Sequence, residues 1–176
     1  MRNWIKLFES GEHRVAYHGS NAPIDLPFRA FTHFGTAKAA INRAAVVAHK
    51  ATNTWSKEKG FHSDHEAPLY IYEVSLAIRN PLRIADLSGK FSNHDFPDLW
   101  KLLPFKRAEK SHVYNFTDVA DLLREKGFDG LVYENLHEDQ GEDSFIILSE
   151  EQVLNVSQPT VMTLAQAAKM LGVELA

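Results

Sequence analysis

Residues 69–78 read LYIYEVSLAI, and this segment decides the fold class of the chain. Its alternating pattern and its many β-branched and aromatic residues predict a central β-strand. The dipeptide Asn80-Pro81 ends that strand, because proline restricts the residue before it and cannot donate a hydrogen bond to a neighbouring strand.

Further strands and helices are interspersed on both sides of this segment. The predicted strands cover residues 14–18, 31–34, 82–86, 130–134 and 145–148. The predicted helices are a short turn at 4–9 and helices at 37–51, 95–103, 118–126 and 163–172. Thr36 and Thr117 are the predicted N-caps of the helices at 37–51 and 118–126. A capping box at Thr163 opens the last helix, which stops at Gly172. Residues 52–67 are expected to form a polar loop. The regular βαβ spacing of a parallel sheet is missing, which favours an α+β fold.

The length predicts one domain over residues 1–176, with a core at about 14–156 and a C-terminal helical extension at 157–176. The chain has no cysteine, which rules out a disulfide scaffold, a thiolate zinc site and a thiol nucleophile. It carries 19 Lys and Arg against 23 Asp and Glu, which gives a formal charge of −4. Nonspecific binding of nucleic acid through an extended basic surface is therefore not expected. The basic stretch at residues 101–110 could contact phosphates or an acidic partner, but a solvated helix end is the favoured interpretation.

No apolar run approaches the ~20 residues that cross a bilayer, and the N-terminus MRNWIKLFESGEHR has no signal-peptide pattern. We therefore expect a cytoplasmic protein, in the cytoplasm of its own cell or of a host or target cell, with no membrane partner. The cluster HSDHE at residues 62–66, with His62, Asp64, His65 and Glu66, could form a metal site, but a polar loop is the favoured interpretation because the ligand set is incomplete. No metal is expected.

Two segments carry residues suited to chemistry. The predicted first strand ends in His18-Gly19-Ser20, which places an imidazole, a bare backbone and a hydroxyl at one rim of a sheet. A simple strand end followed by a turn is the alternative. The second segment joins the strands at 130–134 and 145–148. It holds five acids, and a carboxylate on a sheet rim can stabilise a developing positive charge, although a solvated turn is also commonly acidic.

These motifs follow one another in a recognisable order. The order is YHGS at 17–20, FTHFGT at 31–36 before an alanine-rich helix, RNPL at 79–82, GFDG at 127–130 with YEN at 133–135, and DSFIIL at 143–148 followed by Gln152 and Val153. In this order the chain resembles ADP-ribosyltransferase-fold domains of phages, mobile elements and bacterial toxins. In outline it is also similar to the catalytic domain of poly(ADP-ribose) polymerases. The resemblance spans residues 15 to about 155.

The resemblance implies two small packed, mostly antiparallel sheets that form a cleft for NAD+, with flanking helices. In that family the glycine backbone pairs with the nicotinamide carboxamide and the histidine reaches a ribose hydroxyl, which are the roles expected of Gly19 and His18. Aromatic residues of the second strand wall the nicotinamide pocket. The full set of implied cofactor-binding residues is Tyr17, His18, Gly19, Ser20, Phe31, His33, Phe34 and Ser144.

The resemblance also implies a catalytic carboxylate, but Ser144 stands where the polymerase-like pattern has its glutamate. Asn42 and Arg43 lie in the region of its stacking tyrosine. Either the carboxylate comes from elsewhere in the hairpin, or the domain is inactive. The pattern of Tyr133, Asn135, Glu138 and Asp139 resembles phage-type members, which favours Glu138, with Glu142 second and Glu134 third.

The expected activity is therefore mono-ADP-ribosyl transfer from NAD+ to a protein or nucleic-acid acceptor, with NAD+ as substrate. The alternatives are an NAD+ glycohydrolase, an NAD+-dependent RNA 2′-phosphotransferase, and a catalytically silent binding or inhibitor module that keeps the pocket. The few basic residues in the motif regions disfavour the phosphotransferase.

Overall fold

The computed structural model describes residues 13–52, 54–56, 60–62, 64–86 and 116–173. Within these ranges the chain is a mixed α+β fold, as the order of predicted elements indicated. The described helices include none with the length and apolar character needed to span a bilayer. The predicted helical turn at 4–9, the predicted helix at 95–103 and the basic stretch at 101–110 lie outside the described residues.

Strands and helices are interspersed along the described parts of the chain in no repeating order. The strands are β1 (Arg14–Ser20), β2 (His33–Phe34), β3 (Thr54–Ser56), β4 (Gly60–His62), β5 (Pro68–Leu76), β6 (Pro81–Arg83), β7 (Gly130–Glu134), β8 (Asp143–Ile147), β9 (Val153–Val156) and β10 (Thr160–Thr163). The helices are α1 (Ala37–Thr52), α2 (Phe116–Glu125) and α3 (Leu164–Leu171), with one 3-10 turn at Glu150–Gln152.

Two four-stranded sheets organise the fold. In the first sheet β5 is central: β1 pairs antiparallel with one edge, and β10 and β9 pair antiparallel with successive halves of the other. The second sheet has the order β2-β8-β7-β6, and only its β6–β7 pair is parallel. Strands β3 and β4 form a separate two-stranded hairpin.

Three groups of buried side chains give the layer order. Tyr72 and Val74 of β5 meet Phe145 and Ile147 of β8, so the two sheets pack face to face. The alternate residues of β5 turn to the other face, where they pack against α1 and α3. Helix α2 covers the outer face of the second sheet. The strand alternation visible in the sequence is therefore what sorts side chains between the inter-sheet core and the helix-covered core.

The close approach of α1 to β1 depends on Gly19. A Cβ atom at this position would overlap the backbone carbonyl group of Ala40. Helix α1 can lie this close because alanines at 40, 44 and 48 form its buried face. The glycine is thus required by backbone packing, in addition to the close approach of a ligand that the sequence predicts.

Several local predictions are confirmed. The strand predicted at 69–78 is β5, and it is central in its sheet. The Thr36 hydroxyl accepts a hydrogen bond from the Ala39 amide at 3.0 Å, as expected of an N-cap. The capping box of Thr163 and Gln166 opens α3, which stops at Gly172 with φ 69°.

Other local predictions are wrong. The polar loop expected at 52–67 contains the β3–β4 hairpin. The strand expected at 31–34 is shortened because Phe31 has φ 66°, which is not extended backbone. Thr117 lies inside α2 instead of capping it, since the helix already includes Phe116.

The boundary predicted at residue 156 cuts through the first sheet. Residues 160–163 form β10, which pairs with β5, and Leu164 and Ala167 of α3 are buried against α1. The segment at 157–176 is therefore not a helical extension of a finished core. Isolated threonines and a valine gave too short a pattern for the sequence to reveal this strand.

The packing at Gly19 generates a testable expectation. Gly19→Ala should lower the free energy of unfolding by about 1–3 kcal/mol or more, because the added methyl group forces β1 and α1 apart. Urea denaturation measures the effect. Val15→Ala on the same strand is the matched control, since that side chain is 58% exposed and its loss should change stability by less than about 0.5 kcal/mol. Equal stability of the two variants would contradict the packing argument.

Candidate functional site

A cleft opens between the end of β1, the start of α1 and the β7–β8 hairpin. Its cavity volume is about 360 Å³, within the range of ~300–1,000 Å³ that is typical of small-molecule sites. Aromatic, small and polar side chains share the lining. The lining residues are Tyr17, His18, Gly19, Ser20, Asn21, Phe31, Thr32, His33, Phe34, Gly35, Ala39, Ala40, Arg43, Val47, Tyr133, Asn135, Glu138 and Ser144.

The backbone of Gly19 forms part of an open strand edge in this cleft. Tyr17 exchanges two backbone hydrogen bonds with Gly35, each 2.9 Å long, on the side of β1 that faces away from β5. Backbone groups of alternate residues point to the same side of a strand, so the N–H and C=O of Gly19 also point away from β5. An adjacent donor and acceptor are therefore presented to whatever occupies the cleft.

The His18 imidazole is held in one tautomer. Its Nδ1 lies 2.8 Å from the carbonyl oxygen of His33, which can only accept, so Nδ1 carries the proton and Nε2 is left as an acceptor. Burial lowers the pKa of His18; the bond to His33 acts in the opposite direction, and the positive charge of Arg43 lowers it further. The ring is therefore neutral near pH 7 and can accept a hydrogen bond from a ligand hydroxyl.

A chain of side-chain hydrogen bonds runs beneath the cleft. The Tyr133 hydroxyl lies 3.0 Å from His33 Nδ1 and also hydrogen-bonds the Ser144 hydroxyl. Ser144 in turn accepts from the Asn135 side-chain amide at 3.2 Å. Burial lowers the pKa of His33 to about 3, with the nearby His18 and Arg43 acting in the same direction, and burial is also the main reason that the pKa of Tyr133 is raised. These buried groups are neutral at physiological pH. The row of hydrogen bonds therefore orients the side chains without placing a charge in the core.

Asn135 also shapes the loop that follows β7. Its side-chain oxygen accepts from the backbone amides of His137 and Glu138, at 3.0 and 2.7 Å, and more weakly from that of Asp139. Asparagine caps a turn in this way because its short side chain mimics a backbone carbonyl. The cap turns the loop back toward α1.

Asp139 fastens this loop to the N-terminus of α1. Its carboxylate accepts from the Thr36 hydroxyl at 2.6 Å and from Lys38 Nζ at 2.9 Å. Burial alone would raise the pKa of Asp139, but the hydrogen bonds from Thr36 and Lys38 outweigh it, so the pKa is lowered. A further bond joins the Asn42 side-chain amide to the Glu138 carbonyl oxygen at 3.0 Å.

The fastened loop brings Glu138 to the cleft. Its side chain is 19% exposed, and Oε1 lies 3.9 Å from an Arg43 guanidinium nitrogen. Among the cleft-lining residues Glu138 is the only acid and Arg43 the only lysine or arginine. The described cleft thus holds one negative and one positive charge among neutral groups.

The structure brings together the residues that the sequence had assigned to the cofactor. All eight of them, from Tyr17 to Ser144, line the cleft. Of the three candidate acids, only Glu138 does so. Glu134 is exposed on β7, where it alternates with the cleft-lining Tyr133, and Glu142 lies at the far end of the loop, where its carbonyl accepts from the Asn135 amide.

Sequence reasoning missed the residues that hold the site together. The sequence motif contains Asn135 and Asp139 but predicts no role for either residue, since the hydrogen bond of Asp139 with Thr36 joins positions 103 residues apart. The family resemblance gives Arg43 no role beyond its place in the region of the stacking tyrosine. The spacing of Ala39, Arg43 and Val47 marks one face of α1, which is the signal that could have found Arg43.

Among the described residues, no three His, Cys, Asp or Glu side chains come together in a way that could hold a metal ion. No family model, curated protein or solved structure matches the chain.

The buried imidazoles predict a specific pH dependence. An unfolded histidine takes up a proton below a pH of about 6.5, whereas His33 resists protonation until about pH 3, so the unfolded state binds more protons in this window. The free energy of unfolding should therefore fall as the pH is lowered from about 6.5, by up to ~1.4 kcal/mol per pH unit for each such group.

Urea denaturation at several pH values measures this dependence. His33→Gln should reduce the slope between about pH 6.5 and pH 5.5, above the range in which most carboxylates titrate, and the contribution of His18 should remain. A slope that stays unchanged in this variant would show that His33 is not buried in its neutral form.

The loop attachment predicts a second effect on stability. Asp139→Ala should cost about 1–3 kcal/mol, because it removes two charge-assisted hydrogen bonds and leaves Thr36 and Lys38 without this partner. Amide hydrogen exchange at Glu138 and Asp139 should become faster at the same time. Gln140→Ala, one residue along the same loop and exposed, should change neither quantity. Indistinguishable behaviour of the two variants would remove Asp139 as the anchor.

Proposed function

We propose that the protein is a mono-ADP-ribosyltransferase, which cleaves the bond between nicotinamide and ribose in NAD+ and transfers ADP-ribose to a protein or nucleic-acid acceptor. The observation that carries the proposal is that the open backbone edge at Gly19 and the carboxylate of Glu138 line one cleft. The strand edge can form hydrogen bonds with the amide of nicotinamide, which is the leaving group. The carboxylate can stabilise the positive charge that develops on the ribose when nicotinamide leaves.

The Gly19 edge supports recognition of the nicotinamide carboxamide. A primary amide carries one acceptor and two donors in a plane, so it can pair with a backbone N–H and C=O in the manner of a neighbouring strand. Phe31 and Phe34 line the same cleft, and Phe31, which is 8% exposed, offers apolar surface for the pyridine ring. Loss of this ring as neutral nicotinamide would leave the amide contacts intact.

His18 supports recognition of the ribose. Its neutral ring, with the proton fixed on Nδ1, leaves Nε2 to accept from a ribose hydroxyl. A protonated histidine could not accept this bond and would repel a developing sugar cation. The burial that lowers the pKa of His18 therefore serves the reaction as well as the packing.

Glu138 supports the bond cleavage itself. The bond between the nicotinamide nitrogen and ribose C1′ breaks, and its electron pair returns to the ring, which leaves a positively charged sugar. A fixed carboxylate stabilises that charge more in the transition state than in the ground state. The acceptor nucleophile then forms the new bond to C1′ and loses a proton, so no covalent enzyme intermediate is needed.

One observation favours a second candidate, a silent module that binds NAD+ without cleaving it. Ser144 lies in β8 at the position where the family resemblance has a glutamate, and only 3% of the residue is exposed. Its hydroxyl is already committed to Asn135 and Tyr133. In this alternative the pocket retains the dinucleotide, and Glu138 serves only to hold Arg43.

The two candidates are separated by nicotinamide release. Wild-type protein incubated with NAD+ should produce free nicotinamide, and Glu138→Gln should lower the rate by about 10²–10³-fold, because it removes one preorganised charge. Glu142→Gln and Glu134→Gln are matched controls that remove equivalent charges outside the cleft, and both should retain the rate.

Mass spectrometry of a lysate exposed to protein and NAD+ identifies the acceptor by a mass gain of one ADP-ribose. Nicotinamide release without a labelled macromolecule would indicate hydrolysis. Binding of NAD+ without release would indicate the silent module. Full activity of Glu138→Gln together with loss in Glu142→Gln would overturn the assignment of the carboxylate.

A further inference from the structure

Arg43 is the one cation of the described cleft lining, and the proposed reaction gives it no task. It projects from α1 on the same face as Ala39, Ala40 and Val47, whose side chains are small or apolar. Nearly half of the Arg43 side chain is exposed, against 19% for Glu138. Arg43 is therefore the more solvent-exposed of the two charged side chains that line the cleft.

The donors of Arg43 are not committed within the described structure. Its nearest acidic neighbour is Glu138 at 3.9 Å, which is a Coulombic contact longer than a hydrogen bond. No hydrogen bond joins its guanidinium to another described residue. Asp139, by contrast, is fully engaged by Thr36 and Lys38 and does not compete for Arg43.

A half-exposed guanidinium that lines a cleft and has free donors is suited to a phosphate, which it can bind through two parallel hydrogen bonds. The cleft also places this positive charge next to the negative charge of Glu138. A ligand that is cationic at one end and anionic further along matches both charges. Oxidised nicotinamide dinucleotide has this pattern, with a pyridinium followed by a ribose and a diphosphate.

We propose that Arg43 binds the diphosphate of the dinucleotide in the cleft. The inference rests on the proposed function for the identity of the substrate. The phosphate competes with Glu138 for the guanidinium, so substrate binding draws Arg43 away from the carboxylate. Glu138 is then left to face the ribose with its negative charge uncompensated. Arg43 thus serves both as a substrate-binding residue and as a counter-charge that is removed when the substrate arrives.

The experiment measures binding of ADP, which carries the diphosphate without nicotinamide, by isothermal titration calorimetry. Arg43→Gln should bind ADP about 10- to 100-fold more weakly than wild type, since it loses hydrogen bonds from a charged donor. Arg43→Lys should restore part of the affinity, because it keeps the charge without the fork of donors. Glu138→Gln should bind ADP more tightly than wild type, because it removes the carboxylate that attracts Arg43 and repels the phosphate.

Lys50→Gln is the control, since it removes the same charge from an exposed position on the same helix. Its affinity for ADP should equal that of wild type. The inference is overturned if wild type does not bind ADP, if Arg43→Gln binds it as wild type does, or if Lys50→Gln weakens binding as much as Arg43→Gln. Weaker binding by Glu138→Gln would also overturn it.

The ADP measurement tests the phosphate site and the nicotinamide assay tests the reaction, so each proposal can be contradicted without the other. Binding of ADP that depends on Arg43, in a protein that releases no nicotinamide, would support the phosphate site and contradict the proposed reaction. Nicotinamide release with equal ADP binding by wild type and Arg43→Gln would support the reaction and contradict the phosphate site. Circular dichroism of Arg43→Gln and Arg43→Lys verifies that both variants are folded before binding is compared.

Discussion

The approach of α1 to β1 at Gly19 is the constraint on which the cleft depends. Because glycine leaves room for the carbonyl of Ala40, the helix lies directly against the strand end, and its Ala39, Arg43 and Val47 face becomes one wall of the cavity. A side chain at position 19 would separate the two elements and move that wall. The same glycine leaves its N–H and C=O on the open edge of β1. One residue thus sets both the width of the cleft and the hydrogen-bonding groups within it.

The second requirement is that a carboxylate be held beside this edge from a loop. Loops lose conformational entropy when they are ordered, so Glu138 needs contacts that outweigh this cost. Asn135 supplies the turn through three backbone amides, and Asp139 fastens the far side to Thr36 and Lys38. The Thr36 hydroxyl acts in both parts of this arrangement, as the N-cap of α1 and as a donor to Asp139. The order of the loop is therefore coupled to the start of the helix.

The electrostatics of the cleft follow from burial. His33 and Tyr133 are kept neutral by their surroundings, which leaves Glu138 and Arg43 as the charges of the described lining. In a partly desolvated cleft such charges act more strongly than they would in water. The two opposite charges lie 3.9 Å apart and attract each other, so neither is isolated within the cleft.

Local pattern in the sequence was enough to predict the strands β5, β7 and β8 and the caps of α1 and α3. These features are local, since alternation, turn residues and capping hydroxyls act within a few positions of one another. Tertiary structure decided which acid enters the cleft, because Glu134, Glu138 and Glu142 are alike in chemistry and differ only in where the loop is fastened. It also decided that β10 completes the first sheet and that Gly19 must be glycine. Each of these features depends on a partner that is distant in sequence. The loop depends on Thr36, β10 depends on β5, and Gly19 depends on Ala40. Short-range sequence pattern carries no information about such pairs.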